Sequence, residues 1–503
     1  MSKTTIVGGK ILESTGGDFN IYAKENIVYS SATTITETGV EKGVNFGDPI
    51  KYVKTENAVL RQFLVHFRRP SDYDGKYGFD WLRDEYIFPI MTVTHDTDGT
   101  PINRPTALCK NPSALKAEYR ITDVKNPISP YGKEYFSAWL AIFPHTTTAQ
   151  FAHGSRMHSD GVSLDIEIEE IEPLANDATE ILFECSNRLI TITPSKLNLS
   201  ALIGSKQSKN LGGSRVRNYY HNRKKINIKC SGGALASNEE IKVFAKLGQQ
   251  KTEVGKLMVS RNNSIPKAEI VAVNVISSAA KPQIKEDYQY LFKNQSFNQA
   301  LIRAEVRVDT EFDLVTLAAQ HADARVFLNN SPTMSSEDLK TGLVTLYEKY
   351  GTHKPDTNSG SINYTARSGT TRTYLFYTEF EAGNVLGSCS LDANNNWGNS
   401  YIIYKSALKD KHTIIHEAAH SFGLPHVFQG GSFAGPYTFY HGYTDNYMDY
   451  TWQMGARRIV VRNGRRVAVA GSSGPNVHRG NMHGLYKWQW KMMRSDRSLI
   501  SNY

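Results

Sequence analysis

Apolar and polar residues alternate through much of the first half of the chain, and this pattern predicts β-strands. The clearest case is residues 162–169, where Ser, Asp and Glu alternate with Val162, Leu164, Ile166 and Ile168. A period of two predicts a strand with one buried face and one solvated face. Further strand-like runs, separated by turn-forming residues, read VLRQFLVHF, AWLAIFP, KKINIKCSGG, EEIKVFAKL and EVGKLMVS. We therefore expect two β-sandwich-like modules, at 57–196 and at 197–278.

The first 56 residues are a separate β-prone region. Short pieces such as TTIVGG, FNIYAK and TTITETG are divided by Gly, Ser and Thr, with almost no helical periodicity. A segment this short and polar buries little apolar surface by itself. Two interpretations stay open for residues 1–56: a β-rich docking or assembly region, or a leader without structure of its own.

Helical periodicity begins after residues 275–289, a segment with the composition of a linker. Residues 335–351 predict a helix with Ser335 and Asp338 in capping positions and Gly351 at its end. Its apolar stripe consists of Leu339, Leu343, Leu346 and Tyr350. Three strand-like runs and a second helix follow. This order predicts an α+β domain at 279–503, which we expect to fold without the β-rich residues before it.

Two further elements are predicted near the end of the chain. Residues 457–469 indicate a hairpin that turns at Asn463 and Gly464 and has a markedly basic face. That face either contacts substrate or a partner, or is simply solvated. The stretch LYKWQWKMMRSD predicts a closing helix anchored by Trp488 and Trp490.

Composition and charge narrow the functional classes. The 503 residues, 40% of them hydrophobic, are enough for several domains with their own cores. The net charge is +9, but 58 basic and 49 acidic residues are mixed along the chain. We therefore expect only a weak preference for anionic surfaces and no nucleic-acid partner. The basic run RVRNYYHNRKK at 215–225 could contact a nucleic-acid backbone, but an exposed loop is the favoured interpretation.

The cysteines and the N-terminus indicate where the protein is made. Four cysteines lie far apart without paired spacing, so neither a disulfide framework nor a zinc knuckle is predicted; they are Cys109, Cys185, Cys230 and Cys389. The N-terminus lacks the apolar core of a signal peptide, and no apolar run approaches the ~18 residues of a membrane span. We expect synthesis in the cytoplasm without a signal peptide, and no membrane span.

Residues 416–426 read HEAAHSFGLPH and carry the strongest chemical signal. On a helix, His416 and His420 lie one turn apart on the same face, as two ligands of one metal must. Glu417 is rotated by only one residue from His416, so its carboxylate can reach a water on the metal. Gly423 permits a left-handed turn that ends the helix and lets the chain present His426 as a third ligand.

Three nitrogen ligands predict one zinc ion per chain. Such a zinc keeps its fourth position for water, whose pKa falls to about 7. Glu417 would take a proton from this water and later give it to the leaving amine. A histidine-rich helix without metal is the alternative, which the extended motif disfavours. Should His426 not be a ligand, His441 is the next histidine to test, and Cys389 could block the zinc as a thiolate in a latent form.

The extended motif followed by a methionine turn resembles the signature of the metzincin zinc metallopeptidases. In TDNYMDYTW, Met448 matches the turn methionine, which in metzincins packs beneath the ligand histidines. Tyr450 stands where some branches place a tyrosine that binds zinc or the transition-state oxyanion; a plain core tyrosine is the alternative. The wording NYMDY is most similar to the pappalysin-like and cytophagalysin-like branch. The resemblance implies that a strand at 383–391 borders the cleft and pairs with extended substrate.

The expected function is that of a zinc metalloendopeptidase that hydrolyses peptide bonds in proteins through a zinc-bound water activated by Glu417. The β-rich arrangement before residue 280, with stretches such as IVGGKI and YGFDW, resembles effector toxins that Bacteroidota load onto contractile or type VI secretion systems. That resemblance implies export by such a system and contact of the N-terminal β region with its spike or tube. Two alternatives stay open: a zinc peptidase acting on peptidoglycan cross-links, and a structural spike or adhesion component with a non-catalytic zinc domain.

Overall fold

The computed structural model describes residues 59–144, 157–279, 282, 288–353, 372–391, 397–431, 434–462, 464–496 and 498–500. They belong to the unit Thr55–Tyr503, one of two units into which the chain divides. The docking region predicted at 1–56 lies outside the described residues. Within them the chain is β-rich, with several sheets. None of the described helices is both long enough and apolar enough to cross a bilayer.

Strands dominate the described residues up to Val275. In chain order they are β1 (Phe63–Arg68), β2 (Gly78–Asp80), β3 (Met91–His95), β4 (Pro101–Thr106), β5 (Ala138–Ala141), β6 (Val162–Glu170), β7 (Glu180–Glu184), β8 (Ile190–Thr193), β9 (Lys196–Asn198), β10 (Gln207–Asn210), β11 (Val216–Cys230), β12 (Glu239–Leu247), β13 (Gln250–Val259) and β14 (Lys267–Val275). Three short helices interrupt them, α1 (Asp84–Ile87), α2 (Pro112–Arg120) and α3 (Met157–Asp160).

Two sheets form a sandwich from strands on both sides of residue 196. The first has the order β1-β6-β11-β10, with β8 also paired to β11, and the second has the order β2-β5-β13-β12-β7-β9. Phe67 of the first sheet contacts Phe183 of the second, with ring centroids 6.3 Å apart. The predicted boundary at 196 therefore does not separate two sandwiches. Partner strands far apart in sequence share each sheet, and alternation within one strand cannot show which partner it takes.

Strand β6 follows the predicted alternation on one face only. Its four apolar residues are buried as expected, but Asp165 and Glu167 are only 1% and 5% exposed. His221 bonds Asp165 at 2.8 Å, while Arg68 and Arg217 donate to Glu167 at 3.0 and 2.9 Å. Although burial alone would raise it, Arg68 and Arg217 hold the pKa of Glu167 at about 2. The predicted solvated face is wrong, because cationic side chains from neighbouring strands cover it. The basic run predicted as an exposed loop belongs to strand β11.

The second half of the chain is mixed. Its elements are α4 (Tyr288–Asn294), β15 (Arg303–Asp309), α5 (Leu314–Gln320), α6 (Ala322–Asn330), α7 (Ser336–Tyr350), β16 (Arg372–Thr378), β17 (Gly387–Leu391), β18 (Trp397–Ile403), α8 (Lys411–Ser421), β19 (Trp452–Arg462), β20 (Arg465–Pro475) and α9 (Lys487–Arg494). A third sheet has the order β15-β14-β16-β18-β17. Its neighbours are parallel except β17, which pairs antiparallel at the edge.

Several predicted elements of this half are confirmed. Helix α7 begins where Ser335 Oγ accepts the N–H of Asp338 at 3.1 Å, and Gly351 caps its end. The predicted stripe is buried except Tyr350, whose place Tyr347 takes. Strands β19 and β20 form the predicted hairpin, with Arg462 paired to Arg465 across the turn. Helix α9 is the closing helix, and both of its tryptophans are buried.

Strand β14 corrects the predicted start of the C-terminal domain. It ends at Val275, before the predicted boundary at 279, yet it pairs with β15 on one side and β16 on the other. Its residues from Ile270 to Val273 are all fully buried, because helices cover both faces of a parallel sheet. A short apolar run of this kind is equally typical of a sandwich strand, so the sequence pattern could not assign it.

A buried ionic cluster joins the sandwich half to the C-terminal half. The Asp445 carboxylate accepts hydrogen bonds from Arg69, from Arg83 at 2.8 Å and from the Tyr86 hydroxyl at 3.0 Å. Arg83 also donates to Asp80 at 3.0 Å. Burial alone would raise the pKa of Asp445, but the two guanidinium groups hold it well below its usual range. We call Asp445, Arg69, Arg83, Tyr86 and Asp80 the Asp445 cluster.

We expect a fragment of residues 280–503 not to fold, in contrast to the expectation from sequence. It lacks the central strand β14 and both arginines of the Asp445 cluster, so an apolar groove and a buried charge would be uncovered. Circular dichroism should show no cooperative thermal transition for this fragment, whereas residues 55–503 should melt cooperatively. A cooperative transition in both fragments would contradict this view of the sheet.

Asp445→Asn should lower the free energy of unfolding by about 3–5 kcal/mol, because it leaves the largely buried Arg69 without its carboxylate and the buried Arg83 with Asp80 alone. The matched control is Asp123→Asn, because the partner of Asp123, Lys491, is 60% exposed. This control should change the free energy of unfolding by less than about 1 kcal/mol. Urea unfolding measures both. Because the folded-state pKa of Asp445 is depressed, its contribution is complete above about pH 4 and declines as pH falls further. The difference in free energy of unfolding between wild type and Asp445→Asn should therefore become smaller below pH ~4. A difference that does not change with pH would contradict this assignment.

Candidate metal centre

Helix α8 carries two of the three motif histidines inside the protein. Its first turn is capped by Asp410, whose side chain accepts the N–H of His412 at 3.1 Å. Every residue from Thr413 to Ser421 is buried, and the helix contacts β17, β18 and α4. Small residues such as Ala418 let the sheet approach closely. The motif side chains consequently lie in the core and not on a solvated helix face.

Gly423 makes the turn that brings the third histidine back. Its φ is +88°, in the left-handed region that favours glycine, and its N–H donates to His420 O at 2.9 Å. The helix ends there, and the chain returns His426 towards His416 and His420. The local geometry predicted from the glycine is confirmed.

The imidazoles converge on one point. His420 Nε2 lies 3.2 Å from His416 Nε2 and 3.2 Å from His426 Nε2. Nitrogens bound to one metal at the usual ~2.0–2.1 Å with tetrahedral angles would lie about 3.3 Å apart. The observed spacing agrees with this value. His416, His420 and His426 therefore form a group that could bind a metal ion.

The outer ring nitrogens fix this orientation. Nδ1–H of His416 donates to Tyr447 O at 2.8 Å, that of His420 to Leu424 O at 2.6 Å, and that of His426 to Gln429 Oε1 at 3.2 Å. An imidazole that donates from Nδ1 keeps the lone pair on Nε2 for a metal. Burial, and then the charge of a neighbouring imidazole, lowers the pKa of His416 and of His426 to about 3. The rings are thus neutral at pH 7, as metal ligands must be.

Glu417 lies against the edge strand of the third sheet. A Cβ on Gly387 of strand β17 would lie 2.6 Å from Glu417 Cγ, so only glycine permits this contact. Glu417 is 8% exposed as a whole residue, and burial raises the pKa of its carboxyl to about 8, against the opposing charge of Lys340. A carboxyl with this pKa can both accept and release a proton near neutral pH.

Lys340 ties helix α7 to the same strand. The residue is 2% exposed, and its ammonium group donates to Cys389 O at 2.9 Å, to Ser388 Oγ at 3.3 Å and to Glu337 Oε2 at 2.7 Å. Strand β17, predicted within 383–391, therefore lies beside Glu417 at the edge of the sheet. The metal-compatible group found among the described residues contains no cysteine, so Cys389 is not brought to it. In the part of the chain that the structure describes, no disulfide joins any two of the four cysteines.

The turn with Met448 is held beneath the histidine segment. Met448 is fully buried, its N–H donates to Asn446 Oδ1 at 2.9 Å, and its carbonyl accepts from Val427 N at 3.1 Å. The Tyr447 carbonyl that orients His416 belongs to this turn. The turn therefore contacts the ligand His416 and also Val427, the residue that follows the ligand His426.

The Asp449 carboxylate organises the loop that leads into this turn. It accepts the backbone N–H groups of Gly442, Tyr443 and Thr444 at 2.8 to 3.1 Å. Burial raises the pKa of Asp449 to about 6, and these hydrogen bonds oppose the shift. Gly442 has a φ of +84°, and a Cβ there would lie 2.1 Å from Trp452 O. The loop accordingly has little conformational freedom.

Tyr450 and His441 lie beside the histidine group in different ways. The Tyr450 ring lies 5.0 Å from His426 and 5.6 Å from His416, measured between centroids. The His441 ring is separated from His426 by Phe428, which stacks on both at 4.2 and 4.8 Å. Neither nitrogen of His441 has a hydrogen-bond partner among the described residues. His441 is outside the metal-compatible group, whereas Tyr450 borders it.

Sequence reasoning missed the residues that orient the ligands. Gln429 had a weak local signal, as a polar residue three positions after His426. Lys340 reaches the site from another helix and gave none. Asp449 was visible only as part of the NYMDY wording. No model of a known protein family matches this chain, and no curated protein is significantly similar to it.

Metal binding should depend on the three converging histidines and on their outer partners. His420→Ala should abolish binding of one metal ion per chain, because it removes the central nitrogen of the group. Gln429→Leu should weaken affinity about 10–100-fold through the orientation of His426. His441→Phe keeps the ring stack and should bind normally. Elemental analysis and calorimetric titration with zinc test these variants, and loss of metal in His441→Phe would refute the assignment.

Proposed function

We propose that this protein is a zinc-dependent endopeptidase that hydrolyses peptide bonds in other proteins. The observation that carries the proposal is a neutral three-histidine group with a buried carboxyl, Glu417, on the same helix. Three converging imidazoles, with His420 at tetrahedral spacing from the other two, suit zinc, whose catalytic sites use three protein ligands and leave a fourth position open. Bound zinc would polarise the substrate carbonyl and lower the pKa of water at the open position.

Glu417 is the proposed general base. It follows the ligand His416 directly and lies on the side of the helix that faces strand β17. Its raised pKa reflects burial, and a cation beside it would favour the carboxylate. The carboxylate then accepts a proton from the attacking water and returns it to the amine nitrogen as the peptide bond breaks.

Strand β17 is the proposed guide for an extended substrate. It is an edge strand, and among the described residues only β18 pairs with it. Lys340 holds it from the side of helix α7. A polypeptide that adds to its outer edge passes Gly387, where the Glu417 side chain is in contact. Backbone hydrogen bonding of this kind binds many sequences, which suits an endopeptidase.

Tyr450 is the proposed donor to the oxyanion. Burial, and then the charge of Glu417, raises the pKa of its phenol to about 12, so it stays protonated at neutral pH. A neutral hydroxyl beside the three histidines can donate to an oxygen that gains negative charge in the transition state.

The geometry favours a catalytic over a structural metal. Structural zinc sites are closed by four protein ligands, whereas the group among the described residues has three. A buried carboxyl beside them has no use in a closed site. Delivery as a toxin by a contractile or type VI-like system stays a prediction, because residues 1–56 lie outside the described part. Action on peptidoglycan also stays a prediction.

Glu417→Gln should retain zinc while cleavage of unfolded casein falls by about 10²–10⁴-fold, because the amide cannot accept the proton. The matched control is Glu381→Gln, whose carboxyl is 74% exposed between β16 and β17 and which should cleave like wild type. Zinc content and initial rates are measured on the same preparations. Equal rates in Glu417→Gln and wild type would exclude Glu417 as the base, and zinc-free, inactive wild type would exclude the proposed function.

A further inference from the structure

The hairpin β19–β20 exposes apolar side chains to solvent. Ile459, Val461 and Val467 are 59%, 69% and 40% exposed. Single exposed aliphatic residues are common, but Ile459 and Val461 lie together on one face of the ribbon, with Val467 on the other face. Exposed apolar area of this kind suits a binding partner. No other strand among the described residues pairs with either β19 or β20. Beyond the base of the hairpin, which β3 contacts, both outer edges thus have backbone groups available for a third strand.

The same hairpin has a single sign of charge. Residues 452–475 contain no Asp or Glu and five arginines, Arg457, Arg458, Arg462, Arg465 and Arg466. Among the described residues, no carboxylate lies within ion-pair distance of the guanidinium groups of Arg458, Arg465 or Arg466. The charge is therefore available to an acidic partner.

Arginines and aliphatic residues are mixed on both faces of the ribbon. Arg458 pairs with Val469 and Val460 with Val467, whereas on the opposite face Val461 pairs with Arg466. A hairpin that lies in a membrane surface needs one face that is apolar throughout. A surface for single-stranded nucleic acid uses aromatic rings for stacking, and residues 453–475 contain none. The pattern fits an extended acidic polypeptide with apolar side chains between its carboxylates.

The hairpin is continuous with the candidate metal centre. Strand β19 begins at Trp452, whose ring lies 5.8 Å from Tyr450 and 4.3 Å from His441. At its base, Thr94 Oγ1 of β3 donates to Met454 O. Gly99, in the turn after β3, lies close to Arg457 N, so the uncovered part begins beyond Arg457. An extended chain rises about 3.4 Å per residue, so some ten substrate residues span the hairpin from base to turn.

We propose that the hairpin is an exosite that binds an acidic, extended segment of the protein substrate, about ten residues from the bond that is cleaved. The segment adds as a third strand, its carboxylates pair with the arginines, and its apolar residues contact Ile459 and Val461. This inference rests on the proposed peptidase function and specifies its substrate class.

Direct binding tests the exosite without catalysis. The probe is a fluorescein-labelled peptide of about 12 residues that alternates Glu and Val, and the receptor is the full chain with Glu417→Gln. Fluorescence anisotropy should show binding that weakens with salt. Changing Arg458, Arg465 and Arg466 to Gln should weaken it at least ~10-fold. The double reversal Arg458→Glu and Arg466→Glu should instead bind a Lys-Val peptide.

Melting temperature and zinc content serve as controls. All three positions are exposed, so the substitutions should leave both quantities unchanged. Equal binding of the Glu-Val peptide by parent and variants would overturn the exosite. So would binding only to phosphatidylserine vesicles, or only to an oligonucleotide. For kinetic assays, the three Arg→Gln changes are made in a chain that keeps Glu417. Compared with wild type, this variant should have a higher KM for a substrate with an acidic extension and the same kcat, and it should cleave a short peptide normally. If wild type cleaves nothing, the proposed function fails, yet the anisotropy result still decides whether the hairpin binds acidic peptide.

Discussion

The position of the metal-compatible group depends on one buried carboxylate. Asp445 is clasped by Arg69 and Arg83 from the sandwich half, and it stands two residues before Tyr447, whose carbonyl orients His416. A buried carboxylate without its cations would cost several kcal/mol, so the loop cannot leave these arginines cheaply. The sandwich therefore helps to position the turn of Tyr447 and Met448, which contacts the ligand His416.

Each ligand histidine is oriented by a different hydrogen-bond partner of its Nδ1. His420 is oriented by the turn that follows its own helix, through Leu424 O, and His426 by the side chain of Gln429. Only His416 depends on a distant segment, the turn of Met448. Two ligands are thus set locally and one by tertiary structure, which makes formation of the complete group contingent on the whole unit being folded.

Substrate access follows from the same arrangement. Glu417 faces the edge strand β17 at Gly387, and the loop that ends in Tyr450 continues directly into the hairpin β19–β20. The proposed general base, substrate edge and exosite therefore lie on elements that meet at the three histidines. Strand edges without a pairing partner among the described residues suit an extended chain better than a compact ligand.

The sequence by itself determined the local chemistry. The spacing of His416, His420 and His426 with Gly423, the cap of helix α7 at Ser335 and the hairpin turn are all short-range, so periodicity and turn preferences revealed them. Only tertiary structure decided which strands share a sheet, because alternation shows which face is buried but not which partner covers it. In the folded chain, β14 belongs to the C-terminal sheet, and Glu167 is buried against two arginines. Contacts between residues hundreds of positions apart leave no periodic trace in the chain.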